Sequence, residues 1–274
     1  MSPPSDSAAM HSDHWARLIP MTFHREPSGI FEREPEPLPE NLKVLSEAVI
    51  KNKCDIGFAQ DPDGDRLAIV NEKGEPIGED LTLAFAVRQV LSSHEKGPVA
   101  INLSTSKSVE RVATELGSEV IRTKIGEINV SESMLEAGAV VGGESNGGVI
   151  IPAMHACRDS FVGMAVVLEL MAETGKTVSE LRDEIPRFTV IKDKLQIRGE
   201  QAPAILRYLR RQYDGNAKVN LLDGVHIDFG DSWVHARRSN TEPVIRVTAE
   251  ALSAEEATRL GAEMRAHIDE AMKS

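Results

Sequence analysis

Short apolar runs and segments with helical periodicity alternate along this chain of 274 residues up to about residue 187. Such alternation is typical of strands joined by helices in a mostly parallel sheet with helices on both faces. Beyond residue 187, several strands follow one another between two helices. The pattern therefore predicts an α/β fold class, in which α/β/α sheet domains, one of them partial, precede an α+β domain with helices on one side of its sheet.

The first part of the chain is predicted to contain a helix that begins with Asn41 as its N-cap and ends near Asn52. Two buried strands then flank an acidic turn, over residues 54–59 and 67–70. The other strands expected in this part cover residues 99–103, 119–123, 139–143 and 149–152. The other helices are expected to begin near Asp80, Lys107, Val130, Asp159 and Thr177, where Thr177 and Glu180 form a capping box.

The second part is expected to begin with a strand over residues 189–197 and a helix over residues 201–213. Four further strands are expected over residues 219–222, 225–229, 233–237 and 244–249. A closing helix follows, capped by Ser253 with Glu256, and it places Leu260, Met264 and Ile268 on its buried face.

Composition narrows the class of protein. Hydrophobic residues make up 41% of the chain and aromatic residues only 4%, so aliphatic side chains must build the cores, as in α/β layers. The net charge of −12 argues against nucleic acid or an anionic membrane as a partner. Cys54 and Cys157 suit neither a metal-ligand pair nor a disulfide framework, and neither a membrane span nor a signal peptide is expected. These features predict a cytoplasmic protein.

Asp61, Asp63 and Asp65 stand at alternate positions on the acidic turn, and Arg66 follows them. Carboxylates this close raise one another's pKa unless a cation lies between them, and hard oxygen ligands suit Mg²⁺ or Ca²⁺. An EF-hand is excluded because Arg66 stands where that loop needs glycine and because strands flank the turn. A solvated acidic turn is the simpler alternative for this motif taken alone.

A second candidate loop, residues 142–148, contains four glycines together with Glu144 and Asn146. Glycines let the backbone approach a ligand closely, and the two polar side chains can accept from and donate to vicinal sugar hydroxyls. The alternative is a tight turn whose polar tips are solvated. Lys124 ends a strand at the edge where open α/β sheets bind ligands, so it could contact a substrate or move a proton, or simply be solvated.

A third candidate loop lies between two strands of the last domain. It offers a guanidinium fork, hydroxyls, an amide and backbone N–H groups, which are the groups that bind a phosphate dianion. The alternative is a hairpin loop with chance polar residues. The side chains concerned are Arg237, Ser239, Asn240 and Thr241.

In this order, the three loops resemble those of the α-D-phosphohexomutase superfamily, and from about residue 24 the chain is similar to its archaeal-type phosphoglucosamine and phosphomannomutase branch. The resemblance implies transfer of a phosphoryl group between C1 and C6 of a hexose or hexosamine phosphate, through a bisphosphorylated intermediate. It implies Mg²⁺ at Asp61, Asp63 and Asp65 and a catalytic role for Arg66, which in the family faces the phosphoserine, while Lys124 stays a catalytic candidate because of its place at the strand end. The implied substrate-binding residues are Glu144, Asn146, Arg237, Ser239, Asn240 and Thr241.

The resemblance also implies a division of the chain. Residues 1–23 are expected to be a disordered leader, 24–80 part of the family's second domain, 81–187 its third and 188–274 its fourth. The family's phosphoserine lies in a first-domain loop of the form Thr-Ala-Ser-His-Asn-Pro, which does not occur in this sequence. The chain alone is therefore expected to be inactive as a mutase, unless a separately encoded N-terminal fragment supplies the serine.

Two other functions stay open at this point. The first is a non-catalytic protein that binds a sugar phosphate or a metal. The second is a Mg²⁺-dependent sugar phosphatase with an aspartate of the acidic turn as nucleophile, although the two later loops would then lack an explanation.

Overall fold

The computed structural model of the chain describes residues 20–22, 29, 33–215, 218–239 and 241–273. Most of the leader expected over residues 1–23 lies outside the described residues, and so does Asn240. Within the described part, none of the helices has the length and apolar character needed to cross a bilayer.

A helix and a hairpin form the first structured unit, as predicted. They are α1 (Lys43–Asn52), β1 (Ile56–Gln60) and β2 (Leu67–Asn71), and β1 and β2 pair antiparallel. The predicted cap was wrong, because the N-cap of α1 is Leu42. Asn41 belongs to a preceding 3-10 turn, and its side chain donates instead to the Glu36 carbonyl at 2.9 Å.

Strand β2 is buried on both faces. Leu67 and Ile69 join the large core of the next domain, whereas Ala68 and Val70 pack with α1. The hairpin is therefore held between α1 and the following sheet domain, and this fixes the position of the acidic turn between its strands.

The middle unit is a four-stranded sheet with helices on both faces. Strand order is β4-β3-β5-β6, and β3 pairs parallel with both β4 and β5, whereas β6 pairs antiparallel with β5. The strands are β3 (Val99–Asn102), β4 (Val120–Thr123), β5 (Val141–Glu144) and β6 (Gly148–Ile150). The helices are α2 (Glu79–Gln89, continued by a π-helical turn, Val90–His94), α3 (Lys107–Glu115), α4 (Glu127–Ala137), α5 (Ser160–Thr174) and α6 (Val178–Asp183). Residues of α4 pack on one face, and residues of α2, α3, α5 and α6 share the large core on the other.

The helix caps of this unit test the predictions one by one. Asp159 caps α5 by accepting from the N–H groups of its first turn, and Thr177 with Glu180 forms the predicted capping box of α6. The prediction for Asp80 was wrong, because the N-cap of α2 is Gly78. Asp80 lies inside the first turn and accepts from the N–H of Ser106 at 3.1 Å.

The last unit is a five-stranded antiparallel sheet of order β7-β11-β10-β9-β8. Its strands are β7 (Thr189–Gln196), β8 (Lys218–Asn220), β9 (Val225–Asp228), β10 (Trp233–Arg238) and β11 (Val244–Ala251). The helices α7 (Ala202–Gln212) and α8 (Ala254–Ala271) pack into one core cluster with it. Ser253 caps α8, and Leu260, Met264 and Ile268 are buried, as predicted. The expected fold class is confirmed in both parts.

A buried carboxylate joins the last two units. Glu250 of β11 accepts hydrogen bonds from Ser106 Oγ, from Trp233 Nε1 and, at 3.0 Å, from the N–H of Lys107 at the start of α3. Lys107 Nζ in turn lies 3.1 Å from an oxygen of Asp228 on β9. These contacts hold the two sheets against each other and place a cleft between their loops.

Candidate functional site

The acidic turn brings its three carboxylates together. Asp61, Asp63 and Asp65 each present an oxygen within 4.8 Å of the others, with Asp61 buried and Asp63 exposed. Gly64, with φ of +73°, allows the tight turn, and its N–H donates to the Asp61 carbonyl at 3.2 Å. The alternate spacing seen in the sequence therefore becomes a convergent set of oxygens.

The donor set fits a hard divalent cation. The N–H groups of Asp65 and Arg66 donate to Oδ1 of Asp61, at 3.1 and 3.0 Å, which fixes that carboxylate. Oδ1 of Asp65 is buried and has no hydrogen-bond donor among the described residues. A buried carboxylate oxygen without a donor is destabilising, and a bound Mg²⁺ would satisfy it.

Arg66 lies over the same turn. Its Nε is 3.3 Å from Oδ2 of Asp61 and 3.8 Å from Oδ1 of Asp65, and Nη1 is 3.5 Å from Glu36. About a third of the side chain is exposed, so solvent reaches part of it.

Arg158, which the sequence did not single out, connects this turn to the glycine-rich loop. Its guanidinium pairs with Asp65 and, at 2.8 Å, with Glu144. Its Nε lies 3.4 Å from Glu127, and its backbone N–H donates to Glu127 at 2.7 Å. One side chain thus pairs with three carboxylates, from the acidic turn, from the start of α4 and from the end of β5.

Glycines make the close approach of these loops possible. The carbonyl of Gly147 accepts from the N–H of Leu67 at 3.2 Å, and a Cβ at Gly147, whose φ is +81°, would lie 2.4 Å from the Leu67 carbonyl oxygen. A Cβ at Gly148 would lie 2.2 Å from Cδ of Arg158. The glycines of this loop therefore serve its contact with the acidic turn and with Arg158.

Glu144 is buried and held by three donors. Its oxygens accept from Asn102 Nδ2 at 2.8 Å, from the N–H of Gly126 at 2.9 Å and from Arg158 at 2.8 Å. Asn146 is partly exposed, and its Oδ1 accepts from the N–H of Gly148 at 3.2 Å, so its amide NH₂ can serve a ligand.

A cleft of about 200 Å³ lies between the middle and last units. Its lining combines three cationic side chains with hydroxyls, amides and one carboxylate, which is a chemistry suited to a phosphorylated sugar. The lining residues are Asn102, Ser104, Ile125, Glu144, Ser145, Asn146, Lys192, His235, Arg237, Arg246 and Thr248. The sequence-predicted Glu144, Asn146 and Arg237 are therefore brought to one cleft.

The cations of the cleft belong to the last unit. Burial lowers the pKa of Arg237 from its ordinary value, and the positive charge of Arg246 lowers it further. The negative charges of Asp223 and of Glu144 across the cleft act in the opposite direction and raise it. Arg246 Nε lies 3.4 Å from Oγ of Ser239 and Nη2 lies 2.6 Å from Glu242.

The third candidate loop continues from Arg237. Ser239 is buried, and its Oγ accepts at 3.4 Å from the N–H of Thr241, whose residue is exposed. Ser239 and Thr241 line a second pocket of about 200 Å³ and are not among the residues that line the cleft. Asn240 lies outside the described residues, so its predicted role stays a prediction.

Lys124 is exposed and lies one residue beyond β4. Its neighbour Ile125 lines the cleft, whereas Lys124 itself is not among the lining residues. Its predicted contact with a substrate therefore stays a prediction.

His235 and Ser104 also line the cleft and were missed. His235 Nε2 meets the carbonyl of Asp223 at 2.5 Å, which leaves Nδ1 to accept from Ser104 Oγ at 3.3 Å. Burial lowers the pKa of His235, so the ring is neutral at physiological pH. Only the contact across two units reveals this pair, since 131 residues separate its members.

Comparisons with known proteins agree with this geometry. The description "Phosphoglucomutase/phosphomannomutase, alpha/beta/alpha domain II" matches residues 9–74, and "alpha/beta/alpha domain III" of the same family matches residues 78–188. The "C-terminal domain" of that family matches residues 192–267.

Individual relatives agree with the family models. A "Probable phosphoglucosamine mutase" of Methanopyrus kandleri is 40% identical over 245 residues, which are 88% of this chain and 54% of the relative. The crystal structure of a phosphoglucomutase/phosphomannomutase family protein from Burkholderia thailandensis superposes with a TM-score of 0.76 at 28% identity, covering 87% of this chain and 52% of that one. An N-acetylphosphoglucosamine mutase of Aspergillus fumigatus, solved with GlcNAc-6P and magnesium, shares the fold, with a TM-score of 0.60 at 16% identity over 78% of this chain and 48% of that one.

The chain spans about half the length of the curated relatives it matches. The three matched models follow one another in the order of the domains of a single family and cover almost all of the described residues. These matches show that the chain belongs to the phosphoglucomutase/phosphomannomutase family, the α-D-phosphohexomutases.

Proposed function

We propose that this chain binds a hexose or hexosamine phosphate in the cleft and Mg²⁺ on the acidic turn. The reaction it serves is phosphoryl transfer between C1 and C6 through a bisphosphorylated sugar, on glucosamine or mannose phosphates. The observation that carries the proposal is the pairing of Arg158 with both Asp65 and Glu144, because it joins the metal turn to the sugar cleft.

The sugar end of the ligand meets the glycine-rich loop. Glu144 accepts from vicinal hydroxyls, and Asn146 donates its amide NH₂ to a hydroxyl oxygen. Three donors already fix Glu144, so its oxygens are held in place before the ligand arrives. Such preorganisation reduces the entropy lost on binding.

The phosphate end meets the loop of the last unit. Arg237, Ser239, Asn240 and Thr241 bind the phosphate, and the nearby Arg246 adds a second guanidinium. The partial burial of Arg237 strengthens its attraction for a dianion, since the local dielectric is lower than that of water.

The acidic turn supplies the metal site. Asp61, Asp63 and Asp65 would hold Mg²⁺, which when bound neutralises charge on a transferring phosphoryl group. Arg66 lies beside the same oxygens, and its proposed role is to attract the phosphate. Lys124 is proposed to move a proton at the sugar from its place at the end of β4.

The proposed division of the chain is residues 24–80, 81–187 and 188–274, for the family's second, third and fourth domains. The sequence contains no Ser-His-Asn-Pro stretch that could carry the phosphoserine. We propose that this serine is supplied from outside the 274 residues and that these residues by themselves do not turn over a sugar phosphate. A cytoplasmic location stays a prediction.

Binding and turnover should be measured separately. Calorimetric titration of the chain with glucose, mannose and glucosamine 6-phosphates, each with and without MgCl₂, should show millimolar or tighter binding of at least one. Glu144→Gln and Arg237→Met should weaken it at least tenfold, whereas Arg210→Met, on an exposed helix position, should leave it unchanged. Absence of binding to all three sugars would refute the proposal.

Turnover is assayed on the corresponding 1-phosphates with a bisphosphate activator. The part of the Methanopyrus kandleri relative that this chain does not cover serves as the added fragment. Activity only with the fragment supports the proposal, whereas mutase activity of the chain alone would refute the need for an external serine. Tight binding without activity in either case would favour a non-catalytic binding protein, and release of free phosphate would favour a phosphatase.

A further inference from the structure

The loop between β6 and α5 carries a hydrogen-bonded thiol, imidazole and carboxylate outside the binding site. Cys157 Sγ lies 2.8 Å from Nδ1 of His155, and Nε2 of the same ring lies 2.8 Å from Oδ2 of Asp159. A nucleophile beside a base that a third group orients is an arrangement that activates thiols. Both Cys157 and His155 are exposed, so small solutes can reach the sulfur.

Asp159 sets the direction of the proton in this chain of hydrogen bonds. Partial burial raises the pKa of the carboxyl, but the hydrogen bonds from His155 and from the N–H groups of Val162 and Phe161 outweigh it and lower the pKa overall. The carboxylate therefore accepts from Nε2–H of His155, which leaves the Nδ1 lone pair facing the thiol. The ring can then take the proton of the S–H group.

The position along the chain adds to this effect. Helix α5 is 15 residues long and begins at Ser160, and Asp159 is its N-cap. The partial positive charge of a helix N-terminus favours negative charge on a nearby sulfur. The other cysteine, Cys54, is only partly exposed and packs against the apolar cluster around α1, so it provides an internal comparison.

We propose that Cys157 is a site of reversible modification by hydroperoxides, and that modification there disrupts the binding site through the adjacent Arg158. The thiolate attacks the terminal oxygen of the hydroperoxide, an S–O bond forms and the O–O bond breaks. The leaving alkoxide or hydroxide takes the proton held by His155, so the sulfur is oxidised to a sulfenic acid while the peroxide is reduced to an alcohol or water. A small thiol then forms a mixed disulfide with loss of water, and a second thiol restores Cys157.

Arg158 transmits the change because its backbone and side chain are both committed to the site. Its N–H, in the peptide bond that follows Cys157, donates to Glu127 at 2.7 Å. Its guanidinium pairs with Asp65 and Glu144. A bulky group on Cys157 displaces this peptide bond, and the guanidinium then leaves the two carboxylates that face metal and sugar.

The thiol chemistry stands independently of the proposed function, whereas its effect on ligand binding rests on that function. The first experiment therefore measures reactivity alone. Full-length Cys54→Ser protein is treated with hydrogen peroxide at pH 7, the sulfenic acid is trapped with dimedone, and the rate is followed by intact-mass spectrometry. Adding His155→Gln should slow the reaction about tenfold. The matched variant is His94→Gln, an exposed histidine that pairs with Glu169 at 2.7 Å, and it should leave the rate unchanged.

The second experiment tests transmission. The Cys54→Ser protein, carried to the mixed disulfide with glutathione, is compared with its reduced form by amide hydrogen exchange and by titration with Mg²⁺. The amide of Arg158 should exchange at least tenfold faster, and the affinity for Mg²⁺ should fall at least fivefold. Both should return to their starting values after dithiothreitol.

The experiments test the thiol and the transmission separately. Equal rates with and without His155 would refute the activation of the thiol. Labelling of a Cys157→Ser protein that keeps Cys54 at the same rate would refute it as well. An unchanged Arg158 amide in the mixed disulfide would overturn the transmission, whether or not a ligand binds. If the reduced chain binds neither Mg²⁺ nor a sugar phosphate while the thiol and amide results hold, the proposed function fails and the modification site stands.

Discussion

Asp80 gives the most direct test of the interface between the middle and last units. Its carboxyl lies in the first turn of α2 and accepts from the N–H of Ser106 at 3.1 Å. Burial and the charge of Glu250 raise its pKa to about 7, while the Ser106 N–H and the charge of Lys192 oppose the rise and Glu79 adds to it. The folded chain therefore favours the protonated form of the Asp80 carboxyl and is destabilised when this carboxyl ionises.

The sign and size of the effect follow from linkage. The folded pKa of about 7 exceeds the ordinary value of 3.8, so the folded chain keeps a proton that the unfolded chain releases. The contribution of Asp80 to the stability of the folded chain is therefore most favourable below pH 3.8, falls between pH 3.8 and about 7, and is constant above. At 1.36 kcal/mol per pKa unit the loss is about 1.5 kcal/mol at pH 5 and about 4 kcal/mol at pH 8, as an upper limit.

The assay is urea unfolding of the wild type and Asp80→Asn at pH 5 and pH 8, followed by far-UV circular dichroism. Asparagine keeps the acceptor for the Ser106 N–H and removes the charge, so the variant should be the more stable protein at pH 8. Its advantage should grow by about 2.5 kcal/mol between the two pH values. Asp269→Asn, at an exposed position of α8, should show no such change. An advantage of Asp80→Asn that is equal at both pH values would refute the reasoning.

Three further predictions concern the site and its support. Gly147→Ala should destabilise the chain by about 2–4 kcal/mol in urea unfolding, because the new Cβ would lie 2.4 Å from the Leu67 carbonyl oxygen and φ is +81°. The control Gly175→Ala also has a positive φ, +65°, but open space around it, so it should lose only about 1 kcal/mol. Equal losses in the two variants would contradict the role of the contact with Leu67. Asp63→Asn, at an exposed ligand position, should keep the melting temperature without metal but lose most of the rise that MgCl₂ gives the wild type, and a full rise would contradict its role. Trp233→Phe should lower the free energy of unfolding by about 2–4 kcal/mol in urea, because it opens a cavity and removes a hydrogen-bond donor from the buried Glu250. A loss below about 1 kcal/mol would show that the other donors to Glu250 suffice.

Elements with strong periodicity were predictable because their own residues decide them. The closing helix is the best case, since Leu260, Met264 and Ile268 recur at helical spacing and Ser253 offers a cap. The strands of the hairpin are another, because the acidic turn between them contains both a proline and a glycine.

Caps were less predictable because neighbouring residues offer the same chemistry. Asn41 and Asp80 both have side chains that cap helices, yet each makes a contact to another segment instead. Asp80 shows why, since its carboxylate accepts from the N–H of Ser106, 26 residues away, instead of from the N–H groups at the helix end.

The acidic turn and the two binding loops could be found from the sequence because each concentrates its chemistry in seven residues or fewer. Arg158 could not, because 93 residues separate it from Asp65 and only the folded chain brings them together. Ser104 and His235 belong to the same class of contact.

Under the proposed function, the charges around the cleft favour one orientation of the ligand, even though Asp223 acts on Arg237 and Glu242 pairs with Arg246 on the cationic side. The side of the acidic turn and the glycine-rich loop carries five carboxylates, Asp61, Asp63, Asp65, Glu127 and Glu144, and two guanidiniums, Arg66 and Arg158. The opposite wall of the cleft is lined by three cations, Lys192, Arg237 and Arg246. A sugar phosphate therefore gains energy when its dianion faces the last unit and its hydroxyls face the carboxylates. In the reverse orientation the phosphate dianion would lie beside Glu144, and the two negative charges would repel. A phosphate on that side is favourable only where a cation bound to the acidic turn neutralises it. Under the proposed function, a bisphosphorylated sugar would satisfy both ends at once when Mg²⁺ occupies the acidic turn, so we expect the chain to bind a bisphosphate more tightly than a monophosphate.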